Sequence, residues 1–484
     1  MIGSNYSMKK ARLFLSNILV YGIGGVMNKM VPLFMVPIVT RLMPNTEYYG
    51  MSDTLNVITS FCSALAVLGM YDAMFRMFFE KDTMEYKKQV CSTSFYFTLF
   101  TSTVVAVIVF VFRNYLAKWF LKDEQYAYLI VIIAFTIFVS STNNIISAPT
   151  RMENKRNIYI FGNVLAPILS YSIAIPLLLK GEYVIALPLS ALLSGITLEL
   201  LYYIINGKWF SFKLFDINLL KSILYIALPI APNILIYWVY NSCDRFMITY
   251  YLGIGQEGVY SIGAKLGQVS QLFYLAFAGG WQYFAFSTMK EADHVETNSR
   301  IFEYLAVISF VLSLLLSAFS STLFKILFDD RYQDGYIVAP YLFLAPLIQM
   351  LFQTVATQFT IIKRTYLNTV CLASGAIINV LLNMGLIRIC GIEGASIATV
   401  MGYVVATLLC VILLIRFKLF VVKRRLLIST IVFMGLFTVW RLSNSDNLFV
   451  GILIFIIACI FYLALYSKDF SDLIKTMQKD QGGK

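Results

Sequence analysis

The chain has 484 residues, of which 59% are hydrophobic and only 13% are charged, and its formal net charge is +12. Soluble domains carry about 25% charged residues, so the composition excludes an ordinary soluble protein and predicts an all-α integral membrane protein. No basic domain stands apart from the apolar sequence, so the positive charge does not indicate a nucleic-acid partner.

Charged and Pro/Gly-containing breaks divide the apolar sequence into about 14 predicted transmembrane helices, each near the roughly 20 residues that cross a bilayer. The apolar stretch after the basic N-terminus continues to about Thr40, which favours a first span over a cleaved signal peptide. A count of thirteen stays open, because one of the predicted spans, 426–440, is short. In chain order the predicted spans are 13–40, 49–72, 90–112, 126–149, 158–179, 183–205, 222–251, 257–288, 301–327, 336–361, 366–387, 393–415, 426–440 and 447–466.

Between the sixth and seventh spans, the segment NGKWFSFKLFDINLLKSI (Asn206 to Ile223) mixes aromatic, aliphatic and charged residues. This mixture predicts an amphipathic helix on the cytoplasmic membrane surface. The segment divides the chain into four predicted parts, which are an N-terminal six-helix lobe (1–205), an interfacial amphipathic linker (206–221), a C-terminal six-helix lobe (222–423), and two extra helices with a cytoplasmic tail (424–484).

The first hairpin of each predicted lobe turns through a similar sequence, NTEYYGMSD in the first lobe and GQEGVYSIG in the second. Each has Glu near the turn, then Gly, then a helix with small residues. Internal repeats are common in transporters, whose substrate site then lies between the halves near mid-membrane. The two short matches therefore favour a transporter architecture.

Motifs for catalysis, metals and nucleotides are missing from the sequence. The seven cysteines form no CxxC pair, and the single histidine, His294, lies in a predicted polar loop. GIGQEG, Gly253 to Gly258, matches GxGxxG, but it lies in a short turn between apolar spans, where a dinucleotide site has no βαβ unit to support it. We therefore expect no catalytic residue, no metal and no cofactor.

Lysine and arginine in the connections indicate the topology. With the N-terminus inside, the cytoplasmic segments hold 26 of these residues and the outer segments hold nine. This is the bias that the positive-inside rule requires, so both termini are predicted to be cytoplasmic. The positive charge then lies next to anionic membrane lipids.

Three bases remain inside predicted spans: Lys29, Arg245 and Lys265. A charged residue at mid-bilayer costs about 2.5 to 3.5 kcal/mol and normally faces a bundle interior or a wet cavity. The candidate counter-charges, or ion-coupling groups, are Asp53 in the second span and Asp244 in the seventh. In one interpretation each base pairs with a carboxylate and locks helices together. In the other, three bases against two acids predict a positive cavity that binds an anionic substrate.

Three stretches resemble a known family: GMYDAMFRMFFE from Gly69, DRFMITYYLGIGQEGVYSIGAKL from Asp244, and GIEGASIATVMGY from Gly391. They are similar to the Wzx-type polysaccharide-biosynthesis flippases of the multidrug/oligosaccharidyl-lipid/polysaccharide (MOP) exporter superfamily. The resemblance covers nearly the whole chain. It implies two six-helix lobes around a central cavity, two additional C-terminal helices, alternating access, and basic cavity residues that bind the substrate. Arg76 matches the Arg of the AMFR stretch and is expected at the cytoplasmic mouth.

The resemblance implies a flippase that moves an undecaprenyl-diphosphate-linked oligosaccharide across the bacterial cytoplasmic membrane for capsule, O-antigen or another surface polysaccharide. Its partners would be the lipid-linked oligosaccharide, membrane lipids, and a polysaccharide polymerase and glycosyltransferases of the same pathway. One alternative is a related carrier, either of a peptidoglycan-precursor lipid or of drugs. The other is a polytopic glycan polymerase, against which the short outer connections argue.

The predicted topology can be tested by cysteine labelling in intact cells. After replacement of the native cysteines, single cysteines at Lys155 and Lys363 should resist an impermeant thiol reagent, whereas one at Lys122 should react, because only the last site is predicted to lie outside. Labelling at Lys155 would contradict the assignment.

Overall fold

The computed structural model describes residues 30–443 and 446–469. These ranges contain α-helices joined by short turns and no β-strand. In chain order the helices are α1 (Met30–Leu42), α2 (Thr46–Val67), α3 (Met70–Phe78), α4 (Met84–Val111), α5 (Arg113–Phe120), α6 (Ala127–Met152), α7 (Arg156–Leu179), α8 (Ala186–Asn206), α9 (Ile217–Trp238), α10 (Asp244–Tyr251), α11 (Ile254–Gly267), α12 (Gln271–Ser287), α13 (His294–Leu327), α14 (Val338–Ile361), α15 (Tyr366–Arg416), α16 (Arg424–Leu442) and α17 (Leu448–Leu465).

The prediction of an all-α membrane fold is confirmed. Within the described ranges, ten helical stretches are long and apolar enough to cross a membrane, and the pair α2–α3, bent by 43°, makes eleven. The 51-residue α15 contains two predicted spans. Gly391 (φ 60°, ψ −140°) interrupts the helical path between them. The eighth predicted span is divided between α11 and α12. Of the first predicted span, residues 13–29 lie outside the described residues.

The helices form two compact units. The first unit contains the described residues up to Ile262, together with Phe328–Tyr332 and Ala376–Gly402. Part of its apolar core lies where α3, α4, α6 and α9 meet, around the fully buried side chains of Met74 and Ile145. A second buried cluster joins α2 to α5 and α6.

The second unit contains Gly263–Leu327, Gln333–Gly375 and the described residues from Tyr403 onward. In this unit α13 packs along both α14 and α17. A Cβ added at Gly451 of α17 would lie 2.7 Å from the Cα of Ala318 on α13. Small residues permit this close packing of membrane helices. The predicted boundaries of the two lobes and the linker stay predictions.

The expectation of one amphipathic helix after the sixth span was wrong. The segment forms two short 3-10 turns, Gly207–Trp209 and Phe212–Leu214, before α9 begins. The segment is also held against a neighbouring helix, since the Ser92 hydroxyl of α4 accepts the N–H of Ser211 at 3.0 Å. The aromatic side chain of Trp209 is buried.

The loop assignment of His294 was also wrong. This residue begins α13 and is buried. Its Nε2 lies 3.1 Å from Gln358 Oε1 and 2.8 Å from Asn298 Nδ2. His294 therefore has polar neighbours in the sequence, but its imidazole ring is buried in the second unit and has hydrogen-bond partners there.

Within the first unit, α2 and α11 approach each other backbone to backbone. A Cβ at Gly50 would lie 2.1 Å from the carbonyl oxygen of Ile254, and a Cβ at Gly258 would lie 2.3 Å from the carbonyl oxygen of Thr46. Glycine is the residue that permits such contact, because any side chain would push the helices apart. This contact, here called the glycine contact, brings the first turns of the two helices together.

Gly258→Ala should lower the melting temperature of the purified protein in detergent, since overpacking costs about 1 to 3 kcal/mol and the obstacle here is backbone. Gly385→Ala is the matched control, because a Cβ there would have no atom of the described residues within 4 Å apart from its own stretch of helix backbone. That control should melt at the wild-type temperature or slightly above it. If both variants melt alike, the glycine contact is not present in solution.

Candidate functional site

A cluster of polar and ionisable side chains is buried where α2, α10 and α11 meet. Its members, here called the charge cluster, are Asp53, Asp244, Arg245, Glu257 and Tyr260. Asp53 and Asp244 are each 4% exposed, and Glu257 and Tyr260 are completely buried. Groups of this kind are rarely buried unless they are paired, so their mutual contacts determine whether the helices can pack here.

The central contact of the charge cluster is an ion pair between helices. The Nη1 atom of Arg245 lies 2.8 Å from Oδ2 of Asp53, and the two side chains are 11% and 5% exposed. Asp53 stands two turns from the start of α2, next to the glycine contact. The ion pair therefore joins α2 to α10 in a region from which water is largely excluded.

Asp244 and Arg245 are neighbours on α10, and their side chains bind different helices. The hydroxyl of Tyr260 on α11 donates to Oδ2 of Asp244, while the guanidinium of Arg245 points to α2. The backbone N–H of Arg245 also donates to Oδ1 of Asp244 at 2.9 Å. Adjacent helical positions differ by about 100°, and this offset directs one group to each side.

Glu257 adds a third carboxyl group to the charge cluster. It lies one turn into α11, its two carboxyl oxygens are buried, and Asp53 and Arg245 are among the groups that act on it electrostatically. Among the described residues, three carboxyl groups thus surround one guanidinium. The sequence predicted an excess of base in the membrane, and this part of the structure has an excess of acid.

The backbone around α10 is irregular on both sides. Pro229 and Pro232 lie in α9, and a π-helical turn, Val239–Cys243, follows directly before Asp244. Such turns insert one residue into a helix and occur frequently at functional sites. On the other side, Gly253 has φ 94° and ends the α10 segment. The two irregularities set the rotation of α10, and with it the directions of its two charged side chains.

Three predicted site residues are not members of the charge cluster as described. Lys29 lies outside the described residues. Lys265 is in the last turn of α11 and belongs to the second unit, where it is partly buried. Arg76 is exposed in the last turn of α3, roughly 35 Å along the chain path of α2–α3 from Asp53 at 1.5 Å per residue. Of the five predicted site residues that the structure describes, it thus brings together Asp53, Asp244 and Arg245.

Sequence reasoning did not include Glu257 and Tyr260 among the site residues. In the sequence, Glu257 belongs to the repeated hairpin motif and is the first residue of the predicted span 257–288. Because α11 begins at Ile254, Glu257 is already inside the helix bundle. The similarity between the two hairpins was the signal that pointed to it.

A polar pocket of about 450 Å³ lies between α2, α6 and α9 in the first unit. Its polar lining includes Asn56, Thr59, Ser60, Ser63, Ser140 and Asn144. Tyr71 and Asp72 of α3 lie at the end of the pocket near the bend between α2 and α3. The pocket therefore begins one turn after Asp53 and follows the same helix toward its other end.

Comparison of the sequence with protein families gives a match over most of the chain. The model of a family described as polysaccharide biosynthesis proteins matches residues 38–338. An uncharacterized membrane protein of Methanocaldococcus jannaschii is 23% identical over 405 residues, which covers 74% of this chain and 74% of that protein.

Two solved structures share the fold. The lipid II flippase MurJ in an inward closed conformation has a TM-score of 0.66 and 15% identity, and the match covers 96% of this chain and 99% of that chain. An inward-facing multidrug resistance MATE family transporter of the MOP superfamily has a TM-score of 0.60 and 15% identity, and the match covers 81% of this chain and 98% of that chain.

The contacts of the charge cluster predict which substitutions lower the melting temperature most. Arg245→Gln should lower the melting temperature strongly, since removing one partner of a buried ion pair costs about 3 to 5 kcal/mol. Asp53→Asn should be milder, because two other carboxyl groups remain near the guanidinium, and the double variant should lose less than the sum of the single variants.

Thermal unfolding of the purified variants in detergent measures these differences. Arg388→Gln is the control, because Arg388 is exposed and donates to the Tyr251 hydroxyl at 3.1 Å, where an exposed contact contributes little. Additive losses in the double variant would show that Arg245 and Asp53 do not interact.

Proposed function

Because the chain belongs to the polysaccharide biosynthesis family of the MOP superfamily, we propose that it moves a lipid-linked oligosaccharide from the cytoplasmic to the outer leaflet of the cytoplasmic membrane. The observation that carries the proposal is the family match over residues 38–338. The carrier lipid would be undecaprenyl diphosphate. Glycosyltransferases would supply this cargo and a polymerase would consume it, while the flippase itself breaks no covalent bond.

The two structural comparisons favour a lipid cargo over a drug cargo. The match to the lipid II flippase covers 96% of this chain, and the match to the MATE transporter covers 81%. A flippase of a lipid must accommodate a polar headgroup while the lipid tail remains in the membrane. The polar pocket inside the first unit is suited to such a headgroup.

The charge cluster and the glycine contact support transport by alternating access. With the N-terminus inside, the start of α2 and the start of α11 lie at the outer face, and the glycine contact holds these two ends together. The pocket continues from there toward the bend at Gly69, on the cytoplasmic side. This arrangement suits a state that closes the outer ends and receives cargo from the cytoplasm.

Different roles follow for the bases identified in the sequence. Arg245 is nine-tenths buried and paired with Asp53, so its proposed role is to close the outer ends together with its counter-charges Asp53 and Asp244. Lys29, Lys265 and Arg76 are proposed to attract the diphosphate. An inside-negative potential favours outward movement of an anion by about 2.3 kcal/mol per charge per 100 mV.

Flipping of a fluorescent undecaprenyl-diphosphate-linked oligosaccharide in proteoliposomes tests the function. The purified protein should increase flipping above that of protein-free liposomes. A disulfide between Thr46→Cys and Gly255→Cys should abolish it, and a reductant should restore it, because a Cβ at Gly255 would lie 3.3 Å from Thr46 Oγ1 and a disulfide there would hold the outer ends closed.

The background for this experiment is a chain whose native cysteines are replaced, and each single cysteine variant serves as its control. Absence of flipping by the protein without the disulfide would refute the proposal that it moves this lipid-linked oligosaccharide. Full flipping by the disulfide-locked protein would refute movement of these helix ends.

A further inference from the structure

We propose that the polar pocket between α2, α6 and α9 is a neutral subsite that binds the sugar hydroxyls of the cargo and not its diphosphate. The inference rests on the proposed function and adds the chemical class that this pocket selects. The pocket measures about 450 Å³, which lies in the range of ligand-binding cavities.

Polar side chains line this pocket at membrane depth. Asn56, Ser60 and Ser63 are spaced by four and three residues on α2, and this spacing places them on one helix face. Ser140 and Asn144 are spaced by four on α6. Four of these five residues are exposed, and Ser63 is partly exposed. Polar groups without a hydrogen-bond partner are costly in hydrocarbon, so any unpaired amide or hydroxyl on this face requires water or a polar ligand.

The pocket combines fixed and available hydrogen-bonding groups. The hydroxyls of Ser63 and Ser140 bridge α2 and α6 at 2.6 Å, and Trp238 Nε1 donates to Ser60 Oγ at 3.1 Å. These bonds orient the walls of the pocket. The amides of Asn56 and Asn144 have no hydrogen-bond partner among the described residues.

The chemistry of the free amides matches that of sugars. Each amide offers two donor hydrogens and an acceptor oxygen, and a sugar hydroxyl both donates and accepts. Tyr71 adds an aromatic wall with a polar tip, a combination that accommodates a ligand with apolar C–H groups beside hydroxyls.

The charge of the pocket argues against a diphosphate inside it. Among its described lining residues there is no lysine or arginine, and the ionisable acid is Asp72. Diphosphates are bound by arginine, lysine or helix N-termini, and a carboxylate repels them. Arg151, the nearby base, is hydrogen-bonded to the Tyr71 hydroxyl at 2.8 Å.

The test compares wild-type protein with the double variant Asn56→Leu, Asn144→Leu, which removes both amides at similar side-chain size. Thr103→Leu is the matched control, because Thr103 is exposed on α4 outside the pocket and bonds Leu99 O of its own helix at 2.6 Å. Thermal unfolding checks that all three proteins are folded.

The first measurement is equilibrium binding of fluorescent neutral oligosaccharides to the purified full-length proteins, with inorganic pyrophosphate as competitor. We expect the double variant to bind at least tenfold more weakly than the wild type and the Thr103→Leu control, and pyrophosphate not to compete. Equal binding by the double variant, no saturable binding by the wild type, or displacement by pyrophosphate would overturn the proposal.

The second measurement separates this inference from the proposed function. Flipping is compared between undecaprenyl diphosphate that carries a neutral oligosaccharide and the same lipid without sugar. We expect the double variant to reduce the flipping rate of the sugar-bearing lipid at least tenfold more than the flipping rate of the bare lipid. An unchanged ratio overturns the subsite while the flippase function stands. If the wild type moves neither cargo, the function fails, and the binding measurement still decides whether the pocket recognises sugar.

Discussion

Burial of the Arg245 guanidinium is possible only because carboxyl groups from three helices surround it. An unpaired charge of this kind would cost several kcal/mol to remove from water, so the packing of α10 requires α2 and α11 at short range. The glycine contact makes this short distance between α2 and α11 possible, since the two backbones meet without side chains between them. The π-helical turn before Asp244 then sets the directions of the two charged side chains. Charge, close backbone packing and local irregularity thus depend on one another.

Helix α2 connects the charge cluster to the polar pocket. Asp53 binds Arg245 near the start of the helix, and Asn56, Ser60 and Ser63 line the pocket over the following turns. A helix is stiff over this length, so a displacement at Asp53 carries the pocket face with it. In the proposed function, closure at one end and recognition of a headgroup at the other would therefore depend on the same rigid helix.

The sequence predicted the parts of the structure that the membrane itself enforces. Apolar runs had to become helices, because backbone groups have no other partner in lipid, and an arginine in a span had to lie near the few acids available. Glu257 was missed because the predicted span began at this residue, whereas α11 begins three residues earlier at Ile254. Helix starts are uncertain by this much, and the difference moves the glutamate from the end of a span into the core. The serine and asparagine face of α2 was missed because such residues interrupt hydropathy much less than charges do. The bonds of Ser92 to the linker depend on a tertiary contact that no local pattern contains.

The glycine contact also has a kinetic consequence. Most helix pairs interlock through side chains that fill grooves on the partner, and separating them requires many side chains to change rotamer together. At Gly50 and Gly258 there is no side chain to rearrange, so these surfaces can part along a smooth path once the ion pair beside them is broken. Tight packing and a low barrier to separation are compatible when the touching surfaces are bare backbone.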